Sequence, residues 1–455
     1  MNGQTRQLAQ YAAGLEFNDI PSHVIDRLKL HLLDAAGAAI YGGQLPWTVI
    51  VKSVVSAWRG NPEATVWNTN IRVPASQAAF INSVATHAFE LDDRRVASYM
   101  HPASATFPAG LAVSESLSRK VNGRELLTAI VAGYEVGLRV GKAIGRGSAE
   151  RGFYPPGIGG AFAAVVTAGR LWGLKEGDFP HAFNVTATQV SGLYSPTMIK
   201  RLNIGTGTHS GMIAAELTRA GYKGVSDIFE TEAGGVCAAY ANNPDLSLLV
   251  DGLGREFETA KVELKPYVSS RPNHTAIDCI LELRNTVSGI SEKRLESINI
   301  EIGSRNYAYG AGFDISSVPQ ALMSVAYCVC VAFLDGDAFL DQFTEARLQD
   351  SRLQDLLKLT RVIKNPEFDN LGLEKRDMTI VRCKLRDGRE LKFERAYAKG
   401  HPTNPLSHAE VVDKFRRLVR GLIDPARMKT LEDRILNLDS IEDVKEVALA
   451  LGATS

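Results

Sequence analysis

The sequence is poor in the features that mark several large protein classes. Only five of its 455 residues are cysteine: Cys237, Cys279, Cys328, Cys330 and Cys383. The number is odd and no CxxC pair occurs, which excludes a disulfide framework and paired-cysteine metal sites; reduced thiols in a cytoplasmic protein are expected. Cys328 and Cys330 lie in the apolar run VAYCVCVAFL, where a thiol serves as a small hydrophobe. Charge of one sign is not in excess either. Fifty-one Lys and Arg balance fifty-one Asp and Glu. That argues against nucleic acid as a partner, but not against a small anionic substrate held by a few local cations. No apolar stretch approaches the roughly 20 residues of a membrane span, and the first twenty residues lack the basic and apolar regions of a signal peptide. HExxH, paired Cys/His spacings, an EF-hand loop, a GxSxG elbow, a Rossmann GxGxxG and a phosphate loop are all missing. Side-chain acid–base chemistry with no cofactor and no metal is therefore expected.

What is present suits two domains. Up to about residue 260, apolar residues recur at helical spacing. Val24, Leu28, Leu30, Leu32 and Leu33 mark a helix expected to end near Gly37. Asn122 with Glu125 forms an N-cap pair ahead of LLTAIVAGYEVGLRVGKAI, with Gly145 and Gly147 as its stop. A further helix, AFAAVVTAGRLWGL, is expected to end at Gly173. From about 265 the pattern changes. LESINIEI alternates through Ile298, Ile300 and Ile302, and TIVRCKLRDGRELKFERA reads as a hairpin turning at Asp387-Gly388. Helical patterning returns after about 403. The fold class expected is mainly α: an all-helical domain over 1–264, rejoined by 403–455, with a smaller α+β domain inserted at 265–402.

Four segments place polar residues beside helix ends and glycines. In HAFELDDRRVASYMHPAS (87–104), Glu90, Asp92, Asp93 and His101 bracket an irregular stretch. A loop histidine near carboxylates suits acid–base work, although Asp93 and Ser104 equally suit helix capping. In RGFYPPGIGGAFAA (151–164), Tyr154 precedes a proline-led helix start whose N–H groups would suit a carboxylate; local packing of the tyrosine is the plainer alternative. In SPTMIKRLNIGTGTHSG (195–211), Lys200 and Arg201 precede an expected glycine-rich turn. Lys200 is there either an anion binder or base, or a solvated lysine. In VELKPYVSSRPNHTAID (262–278), Lys265, Arg271 and His274 cluster at the expected domain boundary, where ligand sites often form. Tyr307 is expected at the end of the strand holding Ile298, Ile300 and Ile302.

Taken in order, HAFELDD with HPAS, KRLNIG with THSG, LKPYVSSRPNHTAID and KGHPTNPLS resemble the MmgE/PrpD family, whose members include 2-methylcitrate dehydratases, cis-aconitate decarboxylases and iminodisuccinate epimerases. The resemblance spans nearly the whole chain. It implies a large helical domain with a smaller α+β lid, a homodimer, and a cleft that takes di- or tricarboxylic acids. It implies site positions at Glu90, His101, Lys200, Lys265 and Tyr307, with His101 and Lys200 central; beside them, the residues themselves offer Tyr154 as a third catalytic group and Arg271 as a further binding group. Two positions depart from the decarboxylase branch, where histidine stands in place of Tyr154 and of Asn203. Tyrosine is a weaker acid at neutral pH. The expected reaction is cofactor-independent proton abstraction beside a carboxylate with loss of water. An epimerase or racemase of an amino- or imino-dicarboxylate is the alternative, then a decarboxylase or a non-catalytic carboxylate binder.

Overall fold

The computed structural model describes residues 3–190, 192–195, 199–287, 289–310 and 315–453. Residues 196–198 of the third polar segment lie outside them. The chain divides into two compact units: Met1–Ala88 with Asp92–Leu264 and Ser407–Ser455, and Phe89–Leu91 with Lys265–Leu406.

Among the described residues, the first unit is a bundle of helices with one minimal ladder, β1 (Ala64–Thr65) against β2 (Arg72–Val73). The ladder is a small exception to an all-helical reading. Helices Ala75–Thr86, Ala103–Ser116, Gly123–Glu150, Pro155–Trp172 and Ile199–Arg219 pack on one another and are buried on most sides. Their Ala- and Gly-rich surfaces allow this, because small side chains let helix backbones approach. A Cβ on Gly137 would lie 3.0 Å from the Gly159 carbonyl oxygen, and one on Gly211 would lie 2.3 Å from that of Ala161. Helix His408–Val419, after the chain returns to this unit, packs on helix Ser22–Gly42, where the buried Lys414 ammonium meets Asp34 at 2.6 Å.

Several glycines expected to stop or interrupt helices do neither. Helix Ser22–Gly42 passes through Gly37, helix Gly123–Glu150 through Gly145 and Gly147, and the expected glycine-rich turn after Lys200 is the interior of Ile199–Arg219. Each of these glycines faces a close neighbour. A Cβ on Gly145 would meet the Tyr99 ring at 2.7 Å, and one on Gly207 the Gly157 carbonyl oxygen at 2.2 Å. Gly173 does end its helix, in the left-handed region at φ 85° with nothing near its missing side chain. The Asn122 cap is present, its side chain accepting from the Glu125 N–H.

The second unit is α+β. Its sheet runs in the order β4 (Thr360–Lys364), β3 (Leu295–Ile302), β5 (Thr379–Leu385), β6 (Glu390–Arg395). β3 pairs parallel with β4 and antiparallel with β5, and β5 closes the hairpin with β6 through Asp387-Gly388. Period-two alternation places Ile298, Ile300 and Ile302 with Val381, Cys383 and Leu385 in the buried face. Helix His274–Thr286 packs on that sheet, and helix Val325–Asp335 packs on it in turn. All five cysteines are buried and free of disulfides, and burial pushes the Cys328 and Cys330 thiols up to about 12. Among the described residues, no helix is long and apolar enough to cross a membrane.

Candidate active site

The first polar segment leaves the Ala75–Thr86 helix at His87 and reaches the Ala103–Ser116 helix through an irregular path. The path is pinned at both ends. Arg95 and Met100 pair backbone to backbone, and the Asp93 carboxyl accepts the N–H of Ala103 at 3.2 Å. Asp93 is therefore a cap, as its sequence position allowed, and the Tyr134 hydroxyl donates to it at 3.0 Å. Burial and the neighbouring Asp92 push the Asp93 carboxyl well above the usual carboxylate range.

Asp92 goes the other way. Burial raises its pKa, but the charges and hydrogen bonds of His87 and His101 outweigh burial and hold it well below the usual range. Its Oδ2 lies 2.6 Å from His87 Nδ1 and 3.3 Å from His101 Nδ1, and accepts the Ser104 hydroxyl at 2.7 Å. His101 Nδ1 is also 2.6 Å from the Asp93 carbonyl oxygen. A carbonyl only accepts, so Nδ1 carries the proton and, in the neutral ring, Nε2 presents the lone pair. The two imidazoles meet edge to face at 4.6 Å between centroids.

Tyr154 joins this group from the second segment. Its hydroxyl lies 2.6 Å from His87 Nε2. The residue is only 4 % exposed and is held from behind: its N–H donates to Gly192, Phe153 bridges to Leu193, and Asn203 donates to the Leu193 carbonyl. Asn203 thus fastens the strip to which the Tyr154 backbone is bonded. The helix start is less suited to an anion than expected. Its first two residues are Pro155 and Pro156, which have no N–H, and the Gly157 N–H is bonded to the Tyr154 carbonyl.

Lys200 sits in the first turn of helix Ile199–Arg219 and is 6 % exposed, so it is not a solvated lysine. Its charge reaches His87. Burial lowers the His87 pKa to about 4, with the cationic fields of His101 and Lys200 adding to burial and Asp92 opposing it. Arg201 has a structural task, donating to the Ala88 carbonyl and lying over the Trp47 ring. The first unit thus brings together His101, Tyr154 and Lys200.

His87 is the member that the sequence reading passed over. It was available there as the opening residue of HAFELDD, five positions before Asp92, but as a helix-terminal histidine it carried no spacing signature. Among the described residues, His87, Asp92 and His101 are also the one group whose ligand-type atoms come within 4.8 Å of one another. A cation there would displace the protons that both Nδ1 atoms share with Asp92 and with the Asp93 carbonyl.

The remaining positions lie in the second unit. Glu90, at φ 56° in the left-handed region, and Lys265 are both buried and 3.4 Å apart. Arg271 donates to the carbonyls of Lys399 at 2.7 Å and Ala398 at 3.4 Å, so its guanidinium holds that chain segment. Tyr307 is not at the strand end. It lies on the short helix Ser304–Gly310 and is 38 % exposed.

Comparison with known proteins bears on both units. Residues 6–249 match the family model of the MmgE/PrpD N-terminal domain, and residues 267–439 match that of the MmgE/PrpD C-terminal domain. Similar curated proteins include the cis-aconitate decarboxylase-like protein oryM of Aspergillus oryzae, 27 % identical over 97 % of this chain and 96 % of that protein. They also include cis-aconitate decarboxylases of Aspergillus terreus, 26 % identical over 97 % of this chain and 94 % of the relative, and of Homo sapiens, 26 % identical over 99 % and 95 %.

Proposed function

The chain belongs to the MmgE/PrpD family, and from that premise we propose that it is a lyase that moves protons at the carbon beside a carboxylate of a small di- or tricarboxylic acid and expels a β-hydroxyl as water. One observation carries this reading: a single Asp92 oxygen stands between two imidazoles, one of them bonded to Tyr154. The site therefore offers two acid–base groups, Tyr154 and His101, and elimination of water employs both. One takes the α-proton while the other protonates the departing hydroxyl. Removing the α-proton builds charge on the adjacent carboxylate, and Lys200 is the fixed cation placed to offset it. Glu90, Lys265 and Tyr307 are carried as substrate-binding positions by the family likeness alone.

The names of the relatives favour a second reading, loss of carbon dioxide, which asks only for a proton donor once the carboxylate has left. The test incubates the protein with a panel of hydroxy-, unsaturated and amino-polycarboxylates in deuterated water. Proton NMR follows the carbon skeleton and a trap collects carbon dioxide. The elimination reading expects an olefinic product with loss of the hydroxyl, abolished in His101→Ala and Lys200→Ala. Released carbon dioxide replaces it with a decarboxylase, and inversion with solvent deuterium replaces it with an epimerase. No exchange with any member overturns the enzymatic reading.

A further inference from the structure

Tyr154 is an odd acid–base group, since an isolated phenol is too weak an acid to ionise near neutrality. Its surroundings answer that weakness. The hydroxyl lies 2.6 Å from His87 Nε2, and on the far side of the same ring Nδ1 lies 2.6 Å from Asp92 Oδ2. His87 is wholly buried, as is Asp92. A carboxylate can only accept, so Nδ1 carries a proton and Nε2 of the neutral ring presents a lone pair to the phenol. A hydroxyl, an imidazole and a buried carboxylate in line are the parts of a proton relay, in which the carboxylate fixes the tautomer and stabilises the imidazolium once it forms.

Resting on the lyase reading above, we propose that His87, held by Asp92, is the proton acceptor behind Tyr154, which makes Tyr154 the base of the reaction and His101 the acid. In the step, the α-carbon–hydrogen bond breaks and its proton passes to the Tyr154 oxygen as the tyrosine's own proton passes to His87 Nε2. The electron pair left on carbon forms the double bond as the β-carbon–oxygen bond breaks. The leaving hydroxyl takes the Nε2 proton of His101, which enters as imidazolium, and departs as water. Tyr154 ends as phenol, His87 as imidazolium and His101 as neutral imidazole.

The groups that face His87 fit this direction. They are Asp92, the His101 ring, Tyr154 and the charge of Lys200. In the resting site the two cations, with burial, keep His87 neutral and ready to accept. A bound polycarboxylate offsets those cations and so strengthens His87 as a base when the substrate is present. His87 acts through Tyr154 and is a positioning residue.

The test has two arms. The first needs no substrate. Nitrogen-15 NMR of the histidine-labelled full chain, with His87 identified from His87→Gln, reads the tautomer. The proposal expects the Nδ1–H form at pH 7. An Nε2–H form, or an imidazolium, overturns it. The second arm uses whichever panel member the wild type converts. His87→Gln keeps a hydrogen-bond acceptor for the phenol but cannot take up a proton. It should lose about 10²- to 10³-fold in kcat and move KM by less than about 3-fold. Tyr154→Phe should lose as much, and the double variant no more than either single, because the two act as one unit. A His87→Gln kcat within about 3-fold of wild type, or losses that multiply in the double variant, overturns the relay while leaving the lyase reading intact. A wild type inert on the whole panel sinks that reading instead, and the tautomer still decides the relay's geometry.

Discussion

Replacing Gly207 by alanine sets two physical rules against each other. In a helix interior, alanine is favoured over glycine by about 1 kcal/mol, so propensity alone makes Gly207→Ala stabilising. The packing says otherwise. The new Cβ would lie 2.2 Å from the Gly157 carbonyl oxygen and 3.0 Å from the Gly157 carbonyl carbon. Ordinary contact begins about 1 Å further out, and both partners are backbone, so no side chain can swing away. Helices Pro155–Trp172 and Ile199–Arg219 must separate. Overpacking of this kind costs ~1–3 kcal/mol, and a gap of up to ~1 Å forfeits a quarter to a half of each van der Waals contact along the opened seam. Against the ~1 kcal/mol propensity gain, the expected net loss is about 1 kcal/mol. Gly14 is the control, because it closes the Gln4–Gly14 helix with nothing within 4 Å. Urea unfolding should show the midpoint falling in Gly207→Ala and rising slightly in Gly14→Ala. A midpoint that rises in both would refute the claim that backbone contact sets the spacing of this seam. Turnover should fall with Gly207→Ala as well, because Gly157 lies three residues after Tyr154.

Two further outcomes concern stability. His87 has its pKa lowered to about 4 by burial, and His31 is also held well below its usual value by burial, so below pH 6.5 the unfolded chain binds protons that the folded chain does not. Stability should therefore fall as pH drops from about 6.5 to about 4, by up to ~3 kcal/mol for His87, and then level off for that group. Urea midpoints at pH 7 and pH 5 measure this, and His31→Phe should flatten the slope; a midpoint unchanged between the two pH values contradicts the burial argument. Lys414→Met removes the cation facing the buried Asp34 and should cost ~3–5 kcal/mol, with most of it regained in Lys414→Met/Asp34→Leu. Denaturation of the single and double variants gives the answer, and a double variant no better than the single would show that the pair is not coupled.

How much was legible in the sequence depended on whether a signal is local. The β5–β6 hairpin was readable because alternation through Val381, Cys383 and Leu385 and the Asp387-Gly388 turn are properties of adjacent residues. The Asn122 cap and the Gly173 stop were readable for the same reason. Gly37, Gly145, Gly147 and Gly207 were not, because a glycine that ends a helix and one that admits a neighbouring backbone look alike until the neighbour is known. His101, Lys200 and Tyr154 stood out through family-like motifs and polar loops. Their common surroundings did not. The bond from Tyr154 to His87 joins residues 67 apart, and no periodicity encodes it.

Asp92 Oδ2, flanked by the Nδ1 atoms of both imidazoles, has a consequence for charge accounting over a whole cycle. One carboxylate supports one imidazolium well and two poorly, since each cation repels the other across a few ångströms in a dry interior. In the proposed elimination, the pocket therefore stores a single exchangeable proton, held at His101 before the step and at His87 after it. The starting arrangement returns when that proton crosses back around the same oxygen, so the pocket's charge need not change at any point between one substrate and the next.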